Sequence, residues 1–417
     1  MRNRSNFLVY TFLLFTFFVF GQDRSVVSGV ITDSENDEPL PFASIRLKNY
    51  PIGTISNEIG EFDFYIPKSK RTDTISISYI GFNPYEIALS DISKKLDIKL
   101  KHSVNLLDEV IVSRLSPLDY IKKALENMDE NYPQNSYQTI AYYREKFIEN
   151  DKVINKEESI FKTYYPKQSD SAKNQHQLLL YKPAPNPQKF QFMREWIDKR
   201  MAKEKKKAEK KGEDFEDFDE MDMDFGGPET ILNLDLNQER DPYLEPKHFK
   251  KYEYTFGKET VLDGESIITI NFKAKKKINF MKDEGKILIG KDNYAIVLVE
   301  ATGKLSVPFA VKPILFVIGL KIGKPEFSKT ISYQKYNGKW YSKLYRWDAK
   351  VNLSKRHTFK SNEHSKINIG QVFFINKIDS LSQTIAKDKR FDTQEDMEDQ
   401  VYNDLGLSWQ GMNVIKD

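Results

Sequence analysis

Apolar residues recur along this chain with two different periods. Between residues 25 and 101 they come in short pulses of period two, the signature of strands with one buried face. The pulses cover 26–32, 42–47, 61–66, 74–80 and 96–100, and in the fourth Ile75, Ile77 and Tyr79 share a face. Turn chemistry separates them: Asp33-Ser34-Glu35-Asn36-Asp37, then Gly53 and Gly60. Short strands at this spacing predict a sandwich around one core. The period then changes. Leu118, Ile121, Leu125 and Met128 recur at helical spacing behind Ser116-Pro117-Leu118-Asp119, which supplies a capping Ser, Pro at the first helical position and an acid three residues after the cap. Asn131-Tyr132-Pro133 ends this helix, whose single apolar stripe predicts docking on a sheet rather than on a partner.

Strand patterns dominate afterwards, at 138–147, 155–165, 252–256, 266–274, 284–289, 295–301, 330–336 and 339–349. Residues 285–296 read as strand, tight turn and strand, and Asn337-Gly338 between Tyr- and Trp-bearing strands is the strongest hairpin signal in the chain. Successive hairpins without long helices predict a larger curved antiparallel sheet. The chain is thus expected to be mainly β.

Residues 166–245 break the pattern and read as an insertion. Pro183, Pro185 and Pro187 open it, eight basic residues fall in 199–211, and eight acidic ones follow from Glu213 to Asp224. Residues 190–211 have helical character, whereas the acidic block buries too little to offset its ordering and is expected to be disordered. Asp217, Asp219, Asp222 and Asp224 offer the oxygens a hard cation such as Ca²⁺ wants, but their spacing misses the regular Asp-x-Asp-x-Asp-Gly loop, so cation binding is left open. The two blocks can equally pair with each other, with a charged partner or with an anionic lipid surface. Residues 305–320 form an apolar run broken by Pro308, Lys312 and Pro313, too short and interrupted for a membrane span. Within it 314–320 reads as a buried strand or plug, with a lipid-contacting element as the other reading; on a curved sheet it would line a hydrophobic groove. The tail, 381–417, is expected to hold a short helix around 393–403 and a packing anchor at Trp409.

The extreme N-terminus adds a compartment. Arg2 and Arg4 precede an apolar stretch, 7–20, and Val19-Phe20-Gly21 places a small residue at a cleavage site, so a mature chain starting at Gln22 is expected. The stretch falls short of the ~20 residues that cross a bilayer. No cysteine follows it, which excludes lipoprotein anchoring at that point. Setting the leader's two arginines aside leaves the 64 basic and 61 acidic residues almost balanced, so charge gives no case for nucleic acid. Without cysteines there are no disulfides, and stability must come from buried area, which 28 Phe and 22 Tyr supply.

A specific resemblance emerges from ordered motifs: Gly29-Val30-Ile31-Thr32-Asp33, Glu38-Pro39-Leu40-Pro41-Phe42-Ala43, Gly53-Thr54, Asn57, Gly60, Phe62, Ser78-Tyr79-Ile80-Gly81-Phe82 and Leu107-Asp108-Glu109-Val110-Ile111-Val112. This series resembles the carboxypeptidase-regulatory-like domain. The resemblance implies a transthyretin-like, seven-stranded β-sandwich with Gly60 at a tight turn before the Phe62 strand, and a domain that carries no catalytic residue itself. A zinc carboxypeptidase needs His-x-x-Glu and a distant His. None of His102, His176, His248, His357 and His364 has Glu three residues on, and no two lie at i,i+4; carboxypeptidase activity is rejected. The same domain often precedes TonB-dependent receptors in Gram-negative envelopes, but the remaining residues lack the alternation of a barrel and the chain ends in Lys416-Asp417, not an aromatic. Through Tyr142-Tyr143-Arg144-Glu145 and 285–296 the second region resembles the lipoprotein-carrier type of open half-barrel, a likeness of fold that does not transfer function.

No Cys nucleophile, Gly-x-Ser-x-Gly elbow, Walker loop or His-Glu zinc helix is present. Adjacent acids such as Asp108-Glu109 and Glu157-Glu158 prove nothing among 61. No catalytic, cofactor-binding or metal-binding residue is assigned, and no cofactor is implied. The expected organisation is a leader at 1–21, a sandwich at 25–101, a linker at 102–114, a β-rich domain at 115–380 and the tail. The expected role is that of an exported, non-enzymatic envelope protein, periplasmic or outer-membrane associated in a Gram-negative bacterium. Its sandwich would serve as an interaction or scaffold module and its second domain would bind a protein partner or an apolar ligand such as lipid, with no transmembrane span once the leader is removed. The alternative is a hydrolase of glycan or peptide in the second domain, which a buried carboxylate pair in a cleft would favour; an apolar groove without convergent polar groups would favour the carrier.

Overall fold

The computed structural model describes residues 24–103, 115–167, 172–186, 227–232, 234–236, 240–278, 281–306, 319–357 and 361–417, with isolated positions between these blocks. The leader, the motif at 107–112 and the acidic block from Glu213 to Asp224 lie outside the described residues.

Seven strands build the first unit: β1 (Arg24–Asp33), β2 (Ser44–Leu47), β3 (Gly53–Ile55), β4 (Glu61–Pro67), β5 (Thr74–Ser78), β6 (Tyr85–Ala88) and β7 (Leu96–Leu100). They form two sheets, β4-β1-β7 and β3-β2-β5-β6, antiparallel except for the β1–β7 pair. Alternation works as read: Phe62, Phe64 and Ile66 from β4 meet Ile45, Ile75 and Ile77 across one core. Gly60 has φ +77°, and a Cβ there would stand 2.4 Å from the Ile31 carbonyl oxygen, so the turn requires glycine. The buried Asn57 side chain shapes that turn by accepting the N–H groups of Ile59 and Glu61. Two strands escaped the sequence reading. β3 spans only three residues, and no residue of β6 is fully buried, so neither carries a period.

Helix α1 (Pro117–Glu126) begins with a capping box in which the Ser116 hydroxyl accepts the Asp119 N–H at 3.2 Å and the Asp119 carboxylate accepts the Ser116 N–H at 3.3 Å. After a break at Asn127 comes the single turn α2 (Met128–Asn131). The remaining strands are β8 (Tyr137–Glu149), β9 (Lys152–Tyr165), β10 (Gln175–Lys182), β11 (Tyr252–Phe256), β12 (Thr260–Leu262), β13 (Glu265–Ala274), β14 (Met281–Gly290), β15 (Ile296–Leu305), β16 (Leu320–Ile322), β17 (Glu326–Tyr336), β18 (Lys339–Lys355) and β19 (Glu363–Asp379). They make one 12-stranded sheet in the order β10-β9-β8-β19-β18-β17-β15-β14-β13-β11, with β12 on β13 and β16 on β18. Every pairing is antiparallel. The end strands β10 and β11 do not pair with each other, so the sheet stays open. Register shifts, as at Ser332/Tyr333 and Ile375/Lys377, bend it. Asn337 and Gly338 have φ of 47° and 77°, the turn that Asn-Gly demands.

The sheet is covered on both faces. On the inner face α1, the turn α3 (Glu229–Leu232) and Tyr243, Leu244 and Phe249 pack against Tyr143, Phe161, Ile287, Val299 and Phe373. On the outer face Ile55 of the sandwich and Met412 and Ile415 of the tail meet Tyr142, Ile160, Leu344 and Phe374. This explains the missed strand β19. Its residues 371–376 are buried without interruption because one side faces each core, so no alternation survives.

Three expectations need correcting. Residues 175–182, placed in the insertion, form β10, and 229–232 and 242–251 contribute Ile231, Leu232, Tyr243 and Leu244 to the core. The helix expected at 393–403 is only a short 3-10 turn, Glu398–Gln400. There Asp392 and Asp396 accept the N–H groups of Gln394 and Glu398, and the Gln400 amide binds the Asp392, Glu395 and Asp396 carbonyls, so side chains take the partners a helix would use. In 314–320, Ile314, Val317 and Ile318 lie outside the described residues, while Phe316 is 82% exposed, which is no buried plug.

Candidate functional site

β8 serves both faces, and the motif Tyr142-Tyr143-Arg144-Glu145 is buried at all four positions for that reason. Tyr143 and Glu145 turn inward; Tyr142 and Arg144 turn outward. On the inner side Glu145 stands opposite Glu157 on β9 and opposite Gln371 on β19. One Glu145 oxygen accepts the Tyr143 hydroxyl at 3.0 Å, the Gln371 amide at 2.6 Å and the Gly227 N–H at 3.0 Å. The same Gln371 amide also donates to the Gly227 carbonyl at 2.6 Å. Burial pushes the Glu145 carboxyl above its ordinary value and the neighbouring Glu157 charge adds to this, while the hydrogen bonds oppose it. Glu157 accepts the Asn155 amide at 2.8 Å and a bond from the Tyr181 hydroxyl.

Here, then, is the adjacent carboxylate pair that the hydrolase reading asks for. Both acids are bonded by groups of the protein itself. The chain at Gly227 lies across Glu145, and the contacts of both acids come from the protein itself, so the cluster fastens the insertion's return point to the sheet. Sequence reading named Glu145 only within the half-barrel motif and gave it no role; Gln371 and Gly227 were missed because their roles depend on the register of the missed strand β19. A Gln heading the apolar run Val372-Phe373-Phe374-Ile375 was the one available signal.

The outer side joins the two units. The Tyr142 hydroxyl donates to Glu158 at 2.5 Å, and Lys182 reaches the same carboxylate at 2.9 Å. Arg144, only 3% exposed, donates to Glu58 of the sandwich at 2.7 Å. The tail closes the seam: Asn413 accepts the Tyr65 N–H of β4 at 2.8 Å and its own carbonyl takes the Asn376 amide, while Asn57 donates to the Lys416 carbonyl at 3.2 Å. Backbone bonds complete it, Ile378 N–H to the Pro51 carbonyl at 3.1 Å and Gly81 N–H to the Val261 carbonyl at 2.9 Å. Near this seam desolvation pulls Lys343 down to about 8, opposed by Asp263 and aided by Arg46.

The five histidines are scattered. His102 pairs with Asp33 at 2.8 Å, His176 with Thr163 at 3.0 Å, His248 with Glu245 at 3.3 Å, His357 with Glu363 at 3.1 Å and His364 with Ser354 at 2.9 Å. Among the described residues no group of three or more His, Asp or Glu is placed to hold a metal ion. An open depression of about 410 Å³ lies on β11, β13 and β14, where Glu253, Lys273 and Glu284 surround Phe272 and Gly285; it does not adjoin the carboxylate pair.

Residues 27–112 match the family model of the CarboxypepD_reg-like domain, in agreement with the two-sheet unit described above. No curated protein matches the sequence. Among solved structures the chain is similar to a domain described as an outer membrane lipoprotein-sorting protein from Vibrio parahaemolyticus (9% identity, TM-score 0.25), to a DUF1329 family protein from Desulfovibrio piger (12%, 0.25) and to a LolA superfamily protein from Nitrosomonas europaea (9%, 0.22). Each alignment covers 65% of this chain and 96% of the other. At such scores the likeness carries no argument about function.

Proposed function

We propose that this is an exported, non-enzymatic envelope protein of a Gram-negative bacterium, in which sandwich, sheet and tail form one scaffold that binds a partner or an apolar ligand on its outside. The observation that carries this reading is the occupation of both sheet faces by the chain's own side chains. Among the described residues the inner face is filled by the chain's own apolar side chains, which supports recognition at the rim and the loops rather than in a cleft or groove. Of the two carboxylates that would serve catalysis, Glu145 holds Gly227 and Glu157 holds Asn155 and Tyr181. The leader-like stretch at 7–20 supports export.

The test is a crosslinked pull-down from envelope fractions with lipid analysis of the same sample. A stoichiometric protein or lipid companion is the expected result. Turnover of a glycan or peptide substrate that disappears in both E145Q and E157Q would overturn the reading in favour of the hydrolase.

A further inference from the structure

β18 and β19 are the longest strands of the sheet, 17 residues each, and their two ends differ. At Lys377 and Ile378 the sandwich is bonded to β19. Fourteen residues away along β19, about 45 Å at ~3.3 Å per residue, the other end carries Phe316, 82% exposed, and Phe359, 99% exposed. Among the described residues no other phenylalanine is exposed. Backbone bonds tie the segments that carry them. Gly319 N–H donates to the Phe316 carbonyl at 3.0 Å and Arg356 N–H donates to the Gly319 carbonyl at 2.8 Å, with Phe359 in the loop that follows. Val153, 48% exposed, lies by the turn between β8 and β9, which is bonded to the same end through Asn150 N–H and the Lys366 carbonyl at 2.9 Å.

The charge at this end is predominantly positive. Residues 315–325 and 351–367 contain six Lys and Arg against one acid, Glu363, which faces His357. Lys321, Lys324 and Arg356 are exposed beside the phenylalanines. Asp151 is met by Lys366 at 3.1 Å, and Glu149 is buried, accepting Ser365 and the N–H groups of Gln191 and Phe192. The insertion passes this end at Gln191 and Phe192, and its two blocks, 199–211 and 213–224, carry eight basic and ten acidic residues, a net charge of −2.

We propose that this end is a lipid-contacting surface. Phe316 and Phe359 enter the headgroup region of a bilayer containing anionic lipid, and Lys321, Lys324 and Arg356 meet its phosphates. Exposed aromatic side chains within a ring of cations are the composition of an interfacial anchor, where apolar insertion and attraction to anionic headgroups add. The distance along β19 leaves the sandwich seam clear of the membrane. The proposal does not depend on the partner postulated above, and the two fail separately.

The test is co-sedimentation of the full mature chain with phosphatidylcholine vesicles, with and without phosphatidylglycerol, at low and high salt. Binding is expected only to the mixed vesicles, and added salt should weaken it. F316S/F359S should reduce binding by roughly a hundredfold, a factor of about ten for each buried ring, and K321E/K324E should weaken the salt-sensitive component. Unfolding curves matching the parent's will show that these surface variants are folded. Absence of binding to mixed vesicles overturns the proposal, as does binding that survives F316S/F359S unchanged. Recovery of an acidic protein at this end in crosslinking, without vesicle binding, overturns it in favour of a protein partner.

Discussion

The two ends of β19 use the same residue type in opposite ways. At one end Phe374 lies 2% exposed between sheet, sandwich and tail, and at the other Phe359 is 99% exposed in a hairpin loop. The buried ring serves the fold and the exposed ring serves nothing in the fold. The difference teaches that the chain leaves some apolar side chains outside its cores, and that among the described residues both exposed phenylalanines, Phe316 and Phe359, fall at one end of the sheet.

The largest effect that tests this contrast is on stability. Phe374→Ala should cost about 3–5 kcal/mol, the usual price of an aromatic-sized core cavity, whereas Phe359→Ala should stay within about 0.5 kcal/mol. Urea denaturation of both variants decides it, and equal losses would erase the distinction between the ends.

A smaller effect probes the docked end through pH. His176, partly buried on β10, is pulled down to about 4 by desolvation, and its carbonyl accepts the Phe391 N–H of the tail at 2.8 Å. The folded state keeps the ring neutral while the unfolded chain takes up a proton near 6.5. This stability is therefore present above 6.5 and is lost as pH falls toward about 4. The parent should lose more stability than His176→Gln between pH 7 and pH 5. Identical losses would remove His176 from the account.

How much of this was legible depended on how many neighbours a segment has. Residues 61–66 and 74–80 could be read because one face is buried and the other is not, and Asn337-Gly338 because a tight turn is local chemistry. The helix at Ser116 was readable for the same reason: its cap lies within four residues. β19 was hidden by burial on both faces, and with it went Gln371 and the cluster around Glu145. The tail was read as an appendage because Asn413, Met412 and Ile415 find their partners more than 30 residues away in sequence, at Tyr65, Asn376 and Tyr142. Trp409 was visible as an anchor, since a lone Trp in a polar tail has few other uses, and it packs against that same cluster. Phe359 gave no sign, because a single exposed ring means nothing until the fold ties its loop to the segment that carries Phe316.

Hydrogen exchange of the full chain, with and without vesicles containing phosphatidylglycerol, addresses both ends at once. The account predicts slowed exchange confined to residues 315–324 and 354–363 on adding vesicles, with unchanged protection at 140–146, 371–378 and 407–417. Slowed exchange at the sandwich seam instead, or no change at the Phe316–Phe359 end, would contradict it.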